Sequence, residues 1–124
     1  MSNRRIWILL LVLWIGLPLV SFSQRNCKDL PAKFSTYSQA LYEVRNAKFS
    51  YSDQLNTSGS SFITGARYFS CDGKSGYLII GLNNKDYIHQ GLPKQIWLSF
   101  KKAESLGSFY SKNIRYRYRL GLVQ

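Results

Sequence analysis

The stretch FITGARYFSCDGKSGYLIIGLNNKDYIHQ, residues 62–90, decides the fold. Phe62 to Ser70 mixes aromatic and β-branched residues with polar ones and reads as a strand. Asp72-Gly73-Lys74-Ser75-Gly76 follows as a hairpin turn, because aspartate and glycine accept the turn geometry that other residues resist. Tyr77 to Leu82 is nearly all apolar and short, which predicts a strand buried on both faces. Asn83-Asn84 supplies the next turn, and Asp86 to Gln90 a further short strand. Successive strands joined by tight turns form an antiparallel sheet.

Downstream of that core, Gly91 and Pro93 punctuate the chain, and Pro93 suits the first turn of a helix running through about Ser105. Ile96, Phe100 and Ala103 mark its buried stripe, Trp97 and Leu98 its margins, and Gly107 its end. Upstream, Ser35 to Ala47 carries Tyr37, Ala40, Leu41 and Val44 at helical spacing, with Ser35 as the expected N-cap. From Lys48 the period changes to two, with Phe49 and Tyr51 alternating with polar neighbours as in a half-buried strand, until the polar run at residues 56–61 breaks it. Beyond Ile114 the alternation looks clean: Ile114, Tyr116, Tyr118, Leu120 and Leu122 on one side, Arg115, Arg117 and Arg119 on the other. That pattern predicts a terminal strand with one cationic face. The fold class is therefore α+β, a single domain with a small antiparallel sheet packed against one or two helices. Its expected organisation is an N-terminal helix and strand extension over residues 24–59 followed by a sheet-and-helix unit over residues 60–124.

The first 23 residues read as a cleavable secretory signal. Arg4 and Arg5 form the positive n-region, Ile6 to Val20 the apolar region, and Ser21-Phe22-Ser23 offers small residues for cleavage after Ser23. A membrane anchor is the competing reading, but a span needs about 20 apolar residues and this run is shorter, with Pro18 near its end. Arg4-Arg5 also leaves twin-arginine export open. Processing removes both arginines from the 17 basic residues and leaves the 6 acidic ones, so the remaining domain is strongly cationic and is expected in the periplasm or outside the cell. Such a charge attracts polyanions, whether nucleic acid, anionic glycan or lipid headgroup, or simply keeps an exported protein soluble. Composition does not choose between them, and an envelope protein is a further candidate partner.

The two cysteines, Cys27 and Cys71, both survive processing. An oxidising compartment favours pairing them, and the bridge would staple the N-terminal segment to the sheet; two separate buried thiols are the alternative.

Catalytic patterns are missing from the sequence. His89 is the single histidine, and Asp86, the nearest carboxylate along the chain, falls on the opposite face of a strand. The two cysteines and one histidine lack zinc-ligand spacing, and residues 73–76 lack the phosphate-loop signature, so neither a cofactor nor a metal is expected.

Ser60 to Ile63, Asp72-Gly73, Tyr87-Ile88-His89, Leu92-Pro93 and above all Ala103 to Arg115 (AESLGSFYSKNIR) together resemble the KTSC domain, a family named for a domain at the C-terminus of some lysyl-tRNA synthetases. The resemblance covers Ser60 to Tyr118. It implies a sheet-plus-helix module without catalytic chemistry, for which RNA binding has been suggested, and it places Lys112 and Arg115 near Tyr87 and His89. The family's Tyr-x-Tyr falls on Tyr87-Ile88-His89, so its second tyrosine is a histidine in this chain.

Tyr87 and His89 share a strand face, where they either stack on a base or sugar ring or pack under the helix beginning at Pro93. The densest basic and aromatic region comprises Lys101, Lys102, Lys112, Arg115, Arg117 and Arg119, interleaved with Phe109, Tyr110, Tyr116 and Tyr118. Guanidinium groups alternating with rings suit sequence-tolerant contact with a charged polymer, while a solvated edge strand guarded by arginines carries the same pattern.

Overall fold

The computed structural model describes residues 24–124; the expected signal at residues 1–23 lies outside the described residues. Four strands form an antiparallel meander: β3 (Tyr51–Leu55), β4 (Ile63–Ser70), β5 (Ser75–Leu82) and β6 (Lys85–Pro93), ordered β3-β4-β5-β6. Both tight turns expected from the sequence form. In the first, Asp72 Oδ1 accepts the amides of Lys74 at 2.8 Å and Ser75 at 3.1 Å, while Gly73 takes φ 75°. In the second, Asn83 and Asn84 both adopt positive φ, 51° and 65°, the conformation a two-residue hairpin demands. A short parallel pair, β1 (Arg25–Asn26) with β2 (Ala47–Lys48), lies outside this sheet.

Pleating sorts the apolar side chains into two cores. Tyr68, Leu78 and Ile80 point to one face, where α2 (Lys94–Lys102) and α3 (Leu106–Asn113) cover them with Trp97, Phe100 and Tyr110. Phe69, Ile79 and Ile88 point to the other, where α1 (Tyr37–Asn46) adds Ala40 and Val44, and the chain ends add Phe34 and Leu120. β5 is thus buried on both faces, as its apolar run predicts. Cys27 and Cys71 are disulfide-bonded, with Cα atoms 5.8 Å apart, and join the N-terminal segment to the turn after β4. Among the described residues no helix is long and apolar enough to cross a membrane.

The α+β architecture is as expected, with element boundaries that differ in instructive places. Thr36, not Ser35, caps α1: its hydroxyl accepts the Gln39 amide at 3.0 Å. The strand expected from Lys48 begins at Tyr51 and runs to Leu55. The helix expected from Pro93 through Ser105 stops at Lys102, because Ala103 turns extended and Ser105 caps a third helix, accepting the Ser108 amide at 3.2 Å. Gly107, expected to end a helix, is the second residue of α3, where its amide needs no partner within the helix.

The terminal strand does not form. Ile114 to Tyr118 instead makes a helical turn, with the Arg117 and Tyr118 amides both donating to the Ile114 carbonyl at 3.1 and 3.2 Å. The apparent period of two counted tyrosines as buried, whereas Tyr116 is 64% exposed and lies within cation–π distance of both Arg115 and Arg119. Only Leu122 makes a strand-like contact, a single parallel bridge to Phe34.

Candidate functional site

β6 and the turn after α3 come together at one end of the sheet and enclose a cleft of about 470 Å³, within the size range of small-ligand sites. Ile88 and His89 line it from β6, Tyr110 from α3, and Arg115, Tyr116 and Arg119 from the turn that replaced the expected strand. Lys85 and Tyr87 complete the β6 side, with the Lys85 ammonium 5.6 Å from the centre of the Tyr87 ring. Tyr37 and Phe62 close the rim from distant parts of the chain. Tyr37, Phe62 and Tyr116 are among the few large apolar side chains left exposed, and all three border this one hollow.

The charge of the lining is one-sided. Lys85, Arg115 and Arg119 contribute cations and no carboxylate lines the cleft among the described residues. Asp86, the nearest acid in sequence, projects from the opposite face of β6 and pairs with Arg45 of α1. A concave surface with unopposed cations and low-dielectric walls concentrates positive potential.

His89 anchors the floor. It is 6% exposed, and its Nδ1 lies 2.8 Å from the Tyr118 carbonyl oxygen while Nε2 lies 2.9 Å from the Tyr110 hydroxyl. A carbonyl only accepts, so Nδ1 carries the proton, Nε2 is the free lone pair, and Tyr110 donates to it. Burial pushes the imidazole below its ordinary value, and the Tyr118 hydrogen bond pulls partly against that. Burial also raises the Tyr110 phenol to about 12, so its proton stays on throughout the neutral range. Both imidazole nitrogens are engaged, and neither partner is a carboxylate, so the arrangement is a structural hydrogen-bond chain and not a triad.

Of the residues singled out from the sequence, the fold gathers Tyr87, His89, Tyr110, Arg115, Tyr116 and Arg119 around the cleft. It sends the others elsewhere. Phe109 stacks on Phe100 at 5.7 Å as part of the core, and Lys101 reaches the Asp53 carboxylate at 2.6 Å at the far end of the sheet. Lys102, Lys112 and Arg117 are exposed and outside the lining, so Arg115 lies with Tyr87 and His89 on the cleft and Lys112 does not. His89 packs against α3 through Tyr110. The reading of the arginines as guards of an edge strand lapses with the strand itself.

Sequence reasoning missed Lys85, Tyr37 and Phe62. Lys85 was within reach of it, since a residue two positions before Tyr87 shares its strand face. Tyr37 and Phe62 arrive only through tertiary folding, and no local signal marks them.

A larger hollow of about 660 Å³ lies against the disulfide, lined by Cys27, Cys71, Phe49 and Tyr77, but it carries one lysine and one aspartate, Lys28 and Asp72. Its charges offset one another, so size alone does not make it the site. The chain matches no family model, no curated protein and no solved structure.

Proposed function

We propose that this chain is an exported, non-catalytic binding module of the KTSC type, and that it holds anionic polymers by seating one charged, ring-bearing unit in the cleft between β6 and the turn after α3. The observation that supports this reading most is the convergence of Lys85, Arg115 and Arg119 with exposed aromatic rings on a hollow that, among the described residues, no carboxylate lines. Tyr116, flanked by the guanidinium groups of Arg115 at 5.2 Å and Arg119 at 5.7 Å, offers a ring for stacking beside charges for phosphate, sulfate or carboxylate. Export is supported by the signal-like residues 1–23 together with the disulfide, which is at home in an oxidising compartment.

Titration with single-stranded RNA and with an acidic glycan across a salt series tests the reading and separates the two partners. If the three cleft cations engage three phosphates of a single strand, log K falls against log salt with a slope of about −2. Changing Arg115 and Arg119 together to serine weakens binding by about tenfold or more, on the scale of two lost charge-assisted contacts. Changing Lys112 and Arg117 to serine removes the same net charge outside the cleft and has a much smaller effect. Equal losses from the two pairs would reduce the contact to bulk charge, and no affinity for either polymer at low salt would end the proposal.

A further inference from the structure

His89 is the only histidine in the chain, and it is buried directly beneath a surface that gathers positive charge. Among the described residues no ion pair holds it there. From its own strand it meets Lys85 and Tyr87 across the cleft, and Leu78, its partner on β5, contributes nothing titratable. From α3 it meets the Tyr110 hydroxyl; from the turn beyond, the Tyr118 carbonyl together with Arg115, Tyr116 and Arg119 around the same hollow; from α1, Tyr37 at the rim. Every ionisable neighbour is therefore a cation or a phenol. Within this shell only the Tyr118 carbonyl favours a charged imidazole, and an anion placed in the cleft would be the first charged group to do so.

The hydrogen-bond chain specifies what protonation would change. With His89 neutral, the single Tyr110 proton is committed to Nε2. A proton arriving from solvent must bind at Nε2, since Nδ1 already carries one for the Tyr118 carbonyl. Nε2–H then donates to the Tyr110 oxygen, and the phenolic O–H is released to turn away from His89. The uptake of one proton thus adds a positive charge under the floor and frees a hydroxyl donor in a residue that lines the cleft. Both changes favour an oxyanion.

We propose that the cleft is a proton-linked oxyanion site, in which a sulfate, phosphate or carboxylate group held by Lys85, Arg115 and Arg119 binds together with a proton taken up by His89. The inference rests on the reading of the cleft as the anion-binding surface and adds a regulation to it: the module grips its ligand harder in acid. Linkage makes the coupling reciprocal, so acidification tightens the anion and the anion makes His89 a stronger base.

The purified protein with inorganic sulfate as the probe tests this, because sulfate keeps one charge state across the range and a single histidine gives one unambiguous imidazole signal in NMR. Titrated without sulfate, His89 protonates below the ordinary histidine value; with saturating sulfate, its pKa rises by about one unit, and sulfate binds more tightly as pH falls from about 8, the gain approaching about tenfold only once the pH is below the sulfate-free value. His89→Gln, whose amide can still donate and accept, binds sulfate with the same affinity at both ends of the range. The wild-type NMR titration decides the matter should that variant fail to fold. Sulfate that binds in a manner abolished by Arg115→Ser and Arg119→Ser, yet leaves the His89 pKa unmoved, overturns the proton linkage and leaves the cleft reading standing. Polymer binding with no sulfate binding at either pH, insensitive to those two arginines, overturns both.

Discussion

The two faces of the sheet are built by different means. The face under α2 and α3 comes largely from one continuous stretch, Ile63 to Ile114, and is packed with rings: Tyr68 stacks on Trp97 at 5.4 Å with planes 13° apart, and Phe100 stacks on Phe109. The Tyr68 hydroxyl donates to the Leu92 carbonyl at 2.8 Å, so even its one polar atom is satisfied inside that core. The face under α1 is assembled from chain segments far apart in sequence, Phe34 to Val44 and Leu120, around Phe69, Ile79 and Ile88. It is held by cross-links: the Cys27–Cys71 disulfide, ion pairs from Arg45 to Asp86 and from Arg25 to Glu43, and the Gln90 side chain, which donates to the Ala32 carbonyl and accepts the Gly121 amide. Ring stacking dominates the first face, whereas the second joins the edge contacts of Phe34, Phe49, Phe69 and Tyr77 to tethering of the chain. The candidate cleft opens at the end of the first face, where the tyrosines run out of core to fill.

The largest effect is expected where the ring stack is cut. Trp97 is fully buried between Tyr68 and Phe100, and Trp97→Ala removes its area and leaves a cavity that stacked neighbours fill only in part, for a loss of about 3–5 kcal/mol by denaturant unfolding. A loss below about 1 kcal/mol would mean that the two faces do not differ in this way.

Tethering is tested by changing Cys27 and Cys71 together to serine. A bridge between residues 44 positions apart is worth about 4 kcal/mol in the chain-entropy model, and the double variant loses up to that amount. The loss also has a location. In hydrogen exchange the amides of Val44 and Ile88, on the tethered face, lose protection ahead of those of Tyr68 and Leu78. Uniform loss across both faces would show one cooperative core and dissolve the contrast.

The same contrast explains what the sequence made legible. Turn chemistry is local, so Asp72-Gly73 and Asn83-Asn84 announced both hairpins, and the unbroken apolar run of β5 announced a strand with two buried faces. The position of Tyr87 and His89 on one strand face followed from pleating alone. The misreadings cluster at residues 103–122, where tyrosine was counted as apolar. A ring with a polar tip packs inside, as Tyr110 does, or stacks between arginines in solvent, as Tyr116 does, and a pattern that scores both as buried reports a strand where the backbone turns. A better signal was present: Leu106, Phe109, Tyr110, Asn113 and Ile114 recur at helical spacing after a Ser105 that can cap them, and the first four lie in α3 with Ile114 at its C-cap. The cleft was half legible for the same reason. Its β6 side is periodic, and its rim at Tyr37 and Phe62 depends on folding that no local pattern encodes.

The smallest effect concerns a polar link at the margin of the first face. Asp53 on β3 accepts the Trp97 indole N–H at 2.9 Å and the Lys101 ammonium at 2.6 Å, so one carboxylate fixes the edge strand to both turns of α2. The Lys101 hydrogen bond does most to hold its carboxyl below the ordinary carboxylate range, with burial opposing and Trp97 assisting. A carboxyl with a depressed native pKa stabilises the fold above its unfolded value, and that stability is lost as pH falls through the native value. Asp53→Asn keeps an oxygen for the indole and gives up the charge, which lowers the melting temperature by about 1–4 °C at neutral pH, because a hydrogen bond to a neutral amide is weaker than one to a carboxylate. In acid the wild-type carboxyl protonates and the gap between the two proteins closes. A gap that persists unchanged to about pH 2, below both native and unfolded carboxyl values, would assign the loss to packing around the amide and not to the charge that joins β3 to α2.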